Sequence, residues 1–213
     1  MDNKQFKTIC KKGQGNSLGT LLRQLAYNNI QCWRPVGYRI DDKATSVLHT
    51  EGDVVQDMVE FAYNLAELQF EQTRDVQGDF LRIEYKVRGA LNSNDMKGDF
   101  SITCLSEPRD ILNVLNNEEL IVIIYFRKSS GVHSVDDNLN FLADKGCDTD
   151  DIKVMASTHS VISKFTMNVE ETSLEEETLT LDITSKTQDT GAVLKDTIKL
   201  AMQSLDRLLA KID

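Results

Sequence analysis

A run of apolar residues near the carboxyl end of the sequence constrains its fold most. Six residues are spaced by four, three, four, three and four positions, namely Leu194, Ile198, Ala201, Leu205, Leu208 and Ile212. This period of 3.5 residues is typical of a helix that packs along another helix. Full burial of its five large side chains would stabilise that packing by roughly 1.5–3 kcal/mol each. The pattern predicts a facing helix in the same chain or in a copy, with packing on the protein's own sheet as the alternative.

A second amphipathic segment lies near the amino end. Residues 5–11 alternate between inward and outward types, as in a half-buried strand, and Gly13-Gln14-Gly15 interrupts the alternation. Asn16 or Ser17 is predicted to cap the helix that follows, and Asn28-Asn29 to end it. One face of this helix carries an apolar stripe, formed by Leu18, Leu21, Leu22 and Leu25. The chain is therefore predicted to have an amphipathic helix near each end.

The middle of the chain is rich in predicted strands. Alternation over residues 81–87 predicts a half-buried strand, and the continuous apolar run Leu120–Phe126 predicts a strand covered on both faces. A helix after Asp53 is predicted from the apolar face formed by Val54, Met58, Phe61, Leu65 and Leu68. The polar segment 128–151 is either a mobile loop or one that holds a short helix.

Two further strands are predicted beyond residue 160. They cover Val161–Val169 and Leu179–Ile183, and the acidic run Glu170–Glu177 separates them. With the helices at both ends and the strands between them, the predicted fold class is α+β.

Composition excludes several functional classes. A net charge of −10 argues against broad binding to nucleic acid, which needs a concentrated cationic surface. Leu120–Phe126, the longest apolar run, is too short to cross a bilayer, so a soluble protein without membrane contacts is predicted. The four cysteines are far apart and form no CxxC pair, which favours reduced and mostly buried thiols in a cytosolic protein. We expect no metal site and no cofactor.

The glycine turn has one reading that would imply an enzyme. Gly13-x-Gly15-x-x-x-Gly19 follows a predicted strand and opens a helix, and Asp41 comes 22 residues later, which imitates a dinucleotide-binding fingerprint. Two features argue against it: the flanking strands alternate, whereas Rossmann strands are buried on both faces, and the chain does not continue in βαβ units. The acid pairs Asp41/Asp42, Asp136/Asp137 and Asp150/Asp151 lie in polar loops, and no motif for nucleophilic or metal-assisted hydrolysis is present. No catalytic residue is predicted.

Four short segments of the sequence match, in the same order, the pattern of one known protein family. The first is Gly13-x-Gly15-x-Ser17-Leu18-Gly19-x-x-Leu22-Arg23, and the second is Val36-Gly37-Tyr38-Arg39-Ile40-Asp41. Ser46-Val47-Leu48-His49-Thr50 and Val54-x-x-Asp57-x-x-x-x-x-x-Asn64-Leu65 follow with the spacing of that family. Together they resemble the amino-terminal region of the bacterial RNA polymerase α subunit, and the similarity covers residues 6–70. Beyond residue 80 it is one of organisation, with Thr166-Met167-Asn168-Val169-Glu170 as a further similar segment.

This resemblance implies a two-domain architecture. Residues 1–31 and 161–213 would form a dimerisation domain with two helices on a sheet, and residues 32–160 a β-rich inserted assembly domain. The ten apolar residues of the two helices would pair with a second α-type chain, giving a homodimer or a heterodimer. That dimer would be the platform for the β-type and β′-type catalytic subunits of a DNA-directed RNA polymerase. The glycine turn would then shape the backbone at the helix entry rather than hold phosphate.

The resemblance also implies particular docking residues and a location. Arg23, Gln24, Asp57 and Asn64 would contact a large subunit, and the chain would have no catalytic residues of its own within the nucleotidyltransferase complex. We expect it in the cytoplasm, or in the equivalent compartment of an organelle or a virus-infected cell. An unrelated oligomerising protein-interaction module is the main alternative, and a nucleotide-binding enzyme that uses the glycine turn is a second one.

The sequence departs from the family pattern at three places. Gln24 stands where the family has the second of two arginines, and the acidic residues 171–177 replace a segment that contains an arginine. The sequence stops at Asp213 without the carboxy-terminal DNA-binding domain of the family. No sequence-specific DNA binding is therefore expected.

Overall fold

A computed structural model describes residues 2–40, 57–98, 101–114, 120–186 and 189–209, without the side chains of residues 204–205 and 207–209. In chain order the elements are β1 (Asp2–Lys11), α1 (Gly15–Asn28), β2 (Cys32–Ile40), α2 (Met58–Ala66), β3 (Phe70–Gln72), β4 (Phe80–Val87), β5 (Ala90–Asn92), a 3-10 turn (Ser93–Met96), β6 (Ile102–Cys104), β7 (Asp110–Asn113), β8 (Leu120–Ser129), β9 (Gly131–His133), α3 (Val135–Asp144), β10 (Lys153–Val154), β11 (Ser157–His159), β12 (Ile162–Glu171), β13 (Glu176–Ser185) and α4 (Thr190–Leu209).

The chain divides into two compact units. Unit 1 contains Met1–Gln31 and Ser160–Asp213, and unit 2 contains Cys32–His159. The boundaries implied by the family resemblance, 31/32 and 160/161, fall at the first of these junctions and one residue after the second. Unit 1 is thus built from both ends of the chain. The roles of the two units as dimerisation and assembly domains stay a prediction.

Unit 1 is a layer of two helices on a three-stranded antiparallel sheet of order β1-β13-β12. β1 and β13 pair over their whole length, from Asp2 opposite Ser185 to Lys11 opposite Glu176. Because facing residues point to the same side of a sheet, Phe6 and Cys10 share a face with the odd-numbered residues of β13. Leu179, Leu181 and Ile183 on that face are buried, and α1 and α4 pack there against the sheet and against each other.

Unit 2 is centred on a sheet of order β4-β8-β2-β3-β6, with β10 beside β2. One face packs against α2, where the Tyr38 hydroxyl donates to the Met58 carbonyl at 2.8 Å and the Tyr38 and Phe61 rings meet edge to face at 4.6 Å. Residues of α3 pack against the other face, in a cluster that includes Val36, Tyr125 and Leu142. Val122–Phe126 in β8 are buried on both faces, as the apolar run predicted.

Most predicted elements are present, with three corrections. β2, the strand after α1, is buried on both faces, so the alternation predicted there from Val36, Tyr38 and Ile40 is wrong. The argument that this strand is only half-buried, and so unlike a Rossmann strand, is wrong with it. The second helix begins at Met58, with Asp57 as its N-cap, and the start predicted near Asp53 lies outside the described residues. Segment 128–151 holds α3, which begins with a capping box of Ser134 and Asp137, so of the two possibilities the helix is confirmed.

The fold class is α+β, as predicted. The strand pairs of the described residues are antiparallel, and β1 and β2, which flank α1, belong to different sheets. The segment around the glycine turn is therefore not a βαβ unit, which supports the second argument made from the sequence against a dinucleotide fold. None of the helices in the described part of the chain combines the length and hydropathy that a membrane span requires.

Candidate functional site

The exposed side of the helix layer in unit 1 is the candidate functional site. On α1 the buried stripe is Gly15, Gly19, Leu22 and Ala26. Leu18 and Leu21 are 37% and 38% exposed, and Leu25 is half-buried. These three leucines lie at positions i, i+3 and i+7, so they form one apolar stripe beside the buried one. The four predicted interface residues of α1 are thus divided between the core of unit 1, which takes Leu22, and its surface.

The glycines explain why the sheet is covered by a different stripe of α1 from the one that carries Leu18, Leu21 and Leu25. A Cβ atom added at Gly19 would lie 2.6 Å from Met167 Sδ and 3.2 Å from Leu179 Cδ1, and one added at Gly15 would lie 3.0 Å from Val169 Cγ1. The helix backbone therefore approaches the sheet most closely where it carries no side chain. Leu18, Leu21 and Leu25 are displaced to the flank, where they remain partly accessible.

We expect Gly19→Leu to destabilise unit 1. The added side chain would overlap Met167 and Leu179, so α1 would have to move away from the sheet at a cost of roughly 1–3 kcal/mol, despite the better helix propensity of leucine. Urea denaturation followed by circular dichroism measures the difference. Ser17→Leu, at an exposed position of the same helix, is the control and should change little. A Gly19→Leu protein as stable as the wild type would show that α1 is not packed this closely.

The predicted seam on α4 is divided in the same way. Leu194 and Ala201 are buried, together with Val193 and Thr197. Ile198 is 42% exposed, and Met202, which the sequence analysis did not single out, is 60% exposed. The side chains of Leu205 and Leu208 and the whole of Ile212 lie outside the described residues. Some seam residues thus pack within unit 1 and Ile198 is accessible, and pairing of the seam with another chain stays a prediction.

The amino end of α1 is capped by a carboxylate from the sheet, not by its own N-terminal residues. Gln14 at the N-cap makes no side-chain cap, and the Gly15 amide donates to Glu177 Oε1 instead. The predicted caps Asn16 and Ser17 lie inside the helix. The hydrogen bond from Gly15, followed by that from Gly13, lowers the pKa of Glu177. The glycine turn is thus an anion site that the protein fills with its own buried side chain.

The amino end of α4 is capped in a related way. The Thr190 amide donates to Asp2 Oδ2 at 2.9 Å, and Asp189 Oδ1 accepts from the amides of Gly191 and Ala192 at 2.9 and 3.1 Å. Lys4 Nζ lies 3.3 Å from Asp2 and 3.5 Å from Asp189, and its pKa is raised mainly by Asp2. The pKa of Asp2 is lowered mainly by the Thr190 amide. Carboxylates at helix N-termini are favourable because they oppose the positive end of the helix dipole.

The four predicted docking residues are distributed over both units. Arg23 and Gln24 lie on the exposed side of α1, in unit 1. In unit 2, Asp57 accepts from the Glu60 amide at 2.6 Å, and Asn64 donates to the Ile111 carbonyl at 3.4 Å. Asp57 and Asn64 therefore have structural roles at the start and along the length of α2. A contact of any of the four with a large subunit stays a prediction.

Among the described residues, the other groups considered from the sequence do not assemble into a metal site. Cys32 and Cys104 are buried thiols, and Cys10 and Cys147 are half-buried thiols. Burial raises the pKa of Cys10, with a further contribution from the charge of Glu177. In the part of the chain that the structure describes, no three His, Cys, Asp or Glu side chains are placed to hold a metal ion. Of the acid pairs, Asp41/Asp42 lies outside the described residues and Asp137 caps α3.

The capping carboxylates were not identified from the sequence, although one of them left a signal. Glu177 has the same parity as Leu179, Leu181 and Ile183, so the alternation of β13 already places it on the buried face. A buried carboxylate needs hydrogen-bond donors, and a glycine turn at a helix start supplies them. Asp2 left no comparable signal. No protein-family model matches this chain, and no curated protein matches it closely, so the resemblance to α subunits rests on the short motifs described above alone.

Proposed function

We propose that this chain is a non-catalytic scaffold subunit of a multisubunit DNA-directed RNA polymerase. It pairs through α1 and α4 with a second α-type chain, and the pair nucleates assembly of the two large catalytic subunits. The observation that carries this proposal is the helix layer of unit 1, which leaves Leu18, Leu21, Ile198 and Met202 accessible. Apolar residues that recur along two packed helices on the outside of a unit are typical of an association surface.

The organisation of the chain supports the same proposal. The helix layer is formed from the first and last segments of the sequence, and unit 2 is inserted between them. This order agrees with the α-type architecture that the sequence motifs imply, with unit 1 as the dimerisation domain and unit 2 as the assembly domain. In this proposal the acidic hairpin between β12 and β13 is a divergent feature of the subunit, and Arg23 and Gln24 face a large subunit.

The glycine turn does not favour a nucleotide-binding enzyme. Its amides already hold the carboxylate of Glu177, and a phosphate would have to displace a buried charge that belongs to the fold. An oligomerising module unrelated to transcription would use the same exposed stripes as the scaffold. The two hypotheses differ only in the binding partners that they predict, so identifying the partners of this protein tests the proposal.

The test is affinity purification of the tagged full-length protein from its native source, followed by mass spectrometry and sedimentation analysis. We expect the β-type and β′-type subunits, each of over a thousand residues in the family, in stoichiometric amounts with a pair of α-type chains. Recovery of two different α-type chains would identify a heterodimer, and recovery of one kind a homodimer. A dimer that brings down no large subunit supports the unrelated module. A monomer without partners contradicts the proposal altogether.

The double variant Arg23→Ala/Gln24→Ala sharpens this test. Both side chains are exposed, so their removal should leave the fold and the pairing intact and reduce the recovery of a large subunit. Lys195→Ala, at an exposed position of α4, is the matched control and should not reduce that recovery. A double variant that unfolds, or that recovers the large subunits in full, would show that Arg23 and Gln24 are not docking residues.

A further inference from the structure

A chain of buried hydrogen bonds in unit 2 passes through one histidine. His159, at the end of β11, is fully buried, and its Nδ1 atom lies 3.0 Å from the carbonyl oxygen of Cys32 in β2. Its Nε2 atom lies 2.9 Å from the Ser157 hydroxyl. A carbonyl oxygen can only accept, so Nδ1 carries the hydrogen and Nε2 of the neutral ring accepts from Ser157. Both nitrogens are thus used, in one tautomer.

The chain continues from Ser157 to α3 and β8. Asn138, which is also fully buried, donates from Nδ2 to Ser157 Oγ at 3.0 Å and to the Met155 carbonyl at 2.8 Å. Its Oδ1 atom accepts from Arg127 Nη1 at 3.1 Å. The network therefore ties β11 to β2 on one side and to α3 and β8 on the other. A neutral His159 is the group on which these connections depend.

The charged groups around His159 oppose its protonation. Arg34 of β2 and Arg127 of β8 are cationic, and the His133 ring of β9 lies 5.1 Å from the His159 ring. Asp137 of α3 is the acidic group in this set, and it acts on His133. A proton on His159 Nε2 would also face the Ser157 hydroxyl, which already accepts from Asn138 and would have to turn its own hydrogen to another acceptor.

We propose that β9, α3 and β11 form an acid-sensitive latch on the sheet of unit 2. Protonation of His159 removes the acceptor of the Ser157 hydroxyl, and residues 131–159 then open while the rest of the unit stays folded. β11 is short, is paired with β9 over three residues and is held to β2 through His159. The rest of the segment is held by the pairing of β10 with β2 and by Leu142 and Ile152 in the buried cluster, and opening breaks these contacts as well.

The pH range of opening follows from the difference between the closed and the open segment. Burial is the main cause that lowers the pKa of His159 to about 4, whereas in the open segment the ring titrates at an ordinary value of about 6.5. The open form takes up the proton first, so the latch is fully closed above the ordinary value. Closure weakens as the pH falls toward the lowered value. From well above the ordinary value to well below the lowered one, the opening equilibrium should increase by at most roughly 300-fold.

Hydrogen exchange with mass spectrometry on the full-length protein tests the latch, with rates corrected for the intrinsic pH dependence of exchange. We expect protection of residues 131–159 to fall by more than tenfold from pH 7 to pH 5, with β12 and β13 of unit 1 unchanged as the internal reference. In His159→Asn, whose amide can still donate to Cys32, this pH dependence should disappear. In His133→Asn it should persist.

Three results would overturn the proposal. One is equal protection of residues 131–159 at pH 7 and pH 5 in the wild type, and another is a pH dependence that disappears with His133→Asn and persists with His159→Asn. The third result needs no variant. In the wild type, the Hε1 resonance of His159 would titrate near 6.5 while residues 131–159 remain protected. If the Hε1 chemical shift shows that the His159 ring stays neutral until the segment opens, the latch is supported.

Discussion

Glu177→Gln should lower the melting temperature of unit 1 by roughly 5 °C at neutral pH, and Glu176→Gln should leave it nearly unchanged. The two residues are adjacent in β13, but Glu177 is buried beneath the start of α1 and Glu176 is exposed. Glutamine can still accept a hydrogen bond from the Gly15 amide. It lacks the negative charge that opposes the positive end of the helix dipole, and charged acceptors form the stronger bonds. Differential scanning calorimetry measures both shifts.

The pH dependence of this difference identifies the carboxylate as the cause. The amides of Gly15 and Gly13 lower the pKa of Glu177 below its ordinary value of about 4.3. A carboxylate with a lowered pKa stabilises the fold above its ordinary value, and that contribution is lost as the pH falls through the lowered one. The difference between the melting temperatures of wild type and Glu177→Gln should therefore begin to shrink below the ordinary value and disappear below the lowered pKa. Equal melting temperatures at pH 7, or a gap that persists in acid, would show that the charge does not hold α1.

Periodicity in the sequence identified the elements that bury a continuous apolar face. The alternation of Leu179, Leu181 and Ile183, the apolar run Leu120–Phe126 and the end of α1 at Asn28 all appear in the structure as predicted. Each of these signals is local, because a side chain's neighbours along a helix or strand are fixed by its spacing. The type of an element and its inner face are therefore readable without knowledge of its partners.

The contacts that hold the helix layer together were not readable in this way. Glu177 reaches Gly15 across 162 positions of sequence, and Thr190 reaches Asp2 across 188. Such pairs depend on the register of β1 with β13, which no local pattern specifies. The stripe of α1 that faces the sheet was not identified from the sequence, for a related reason. Hydrophobicity favours the leucines, whereas close packing against Met167 favours the glycines.

The inserted unit shows the same limit. The polar character of residues 128–151 left a short helix as only one of two possibilities there. The inner face of α3 is short and includes the buried Asn138. Buried polar side chains carry no hydrophobic signal, and their partners come from distant strands. The network around His159 could therefore be found only from the structure. From the sequence alone, serine, asparagine and histidine in a polar segment are as typical of a solvated loop as of a buried hydrogen-bond network.

The double variant Leu21→Asp/Ile198→Asp should convert the proposed pair of α-type chains to monomers. The two side chains are 38% and 42% exposed in unit 1, so aspartate there should cost the separate chain little stability. In the pair the same residues would lie in a desolvated interface, where an unpaired charge costs roughly 3 kcal/mol or more. The dissociation constant should then increase by at least about 100-fold. Sedimentation velocity over a range of concentrations measures the change.

Gln203→Asp is the control for this prediction, because it adds one aspartate at an exposed position of α4 away from Ile198 and Met202. It should leave the dissociation constant of the pair unchanged, and circular dichroism should show that both proteins retain their helices. Equal weakening by Gln203→Asp would mean that overall charge, rather than the apolar stripes, governs association. A wild-type protein that sediments as a monomer at micromolar concentration, alone and with any second α-type chain from its source, would remove the basis of the scaffold. If only the double variant dissociates, the leucine stripe of α1 and the Ile198 face of α4 together form the surface that a second α-type chain covers.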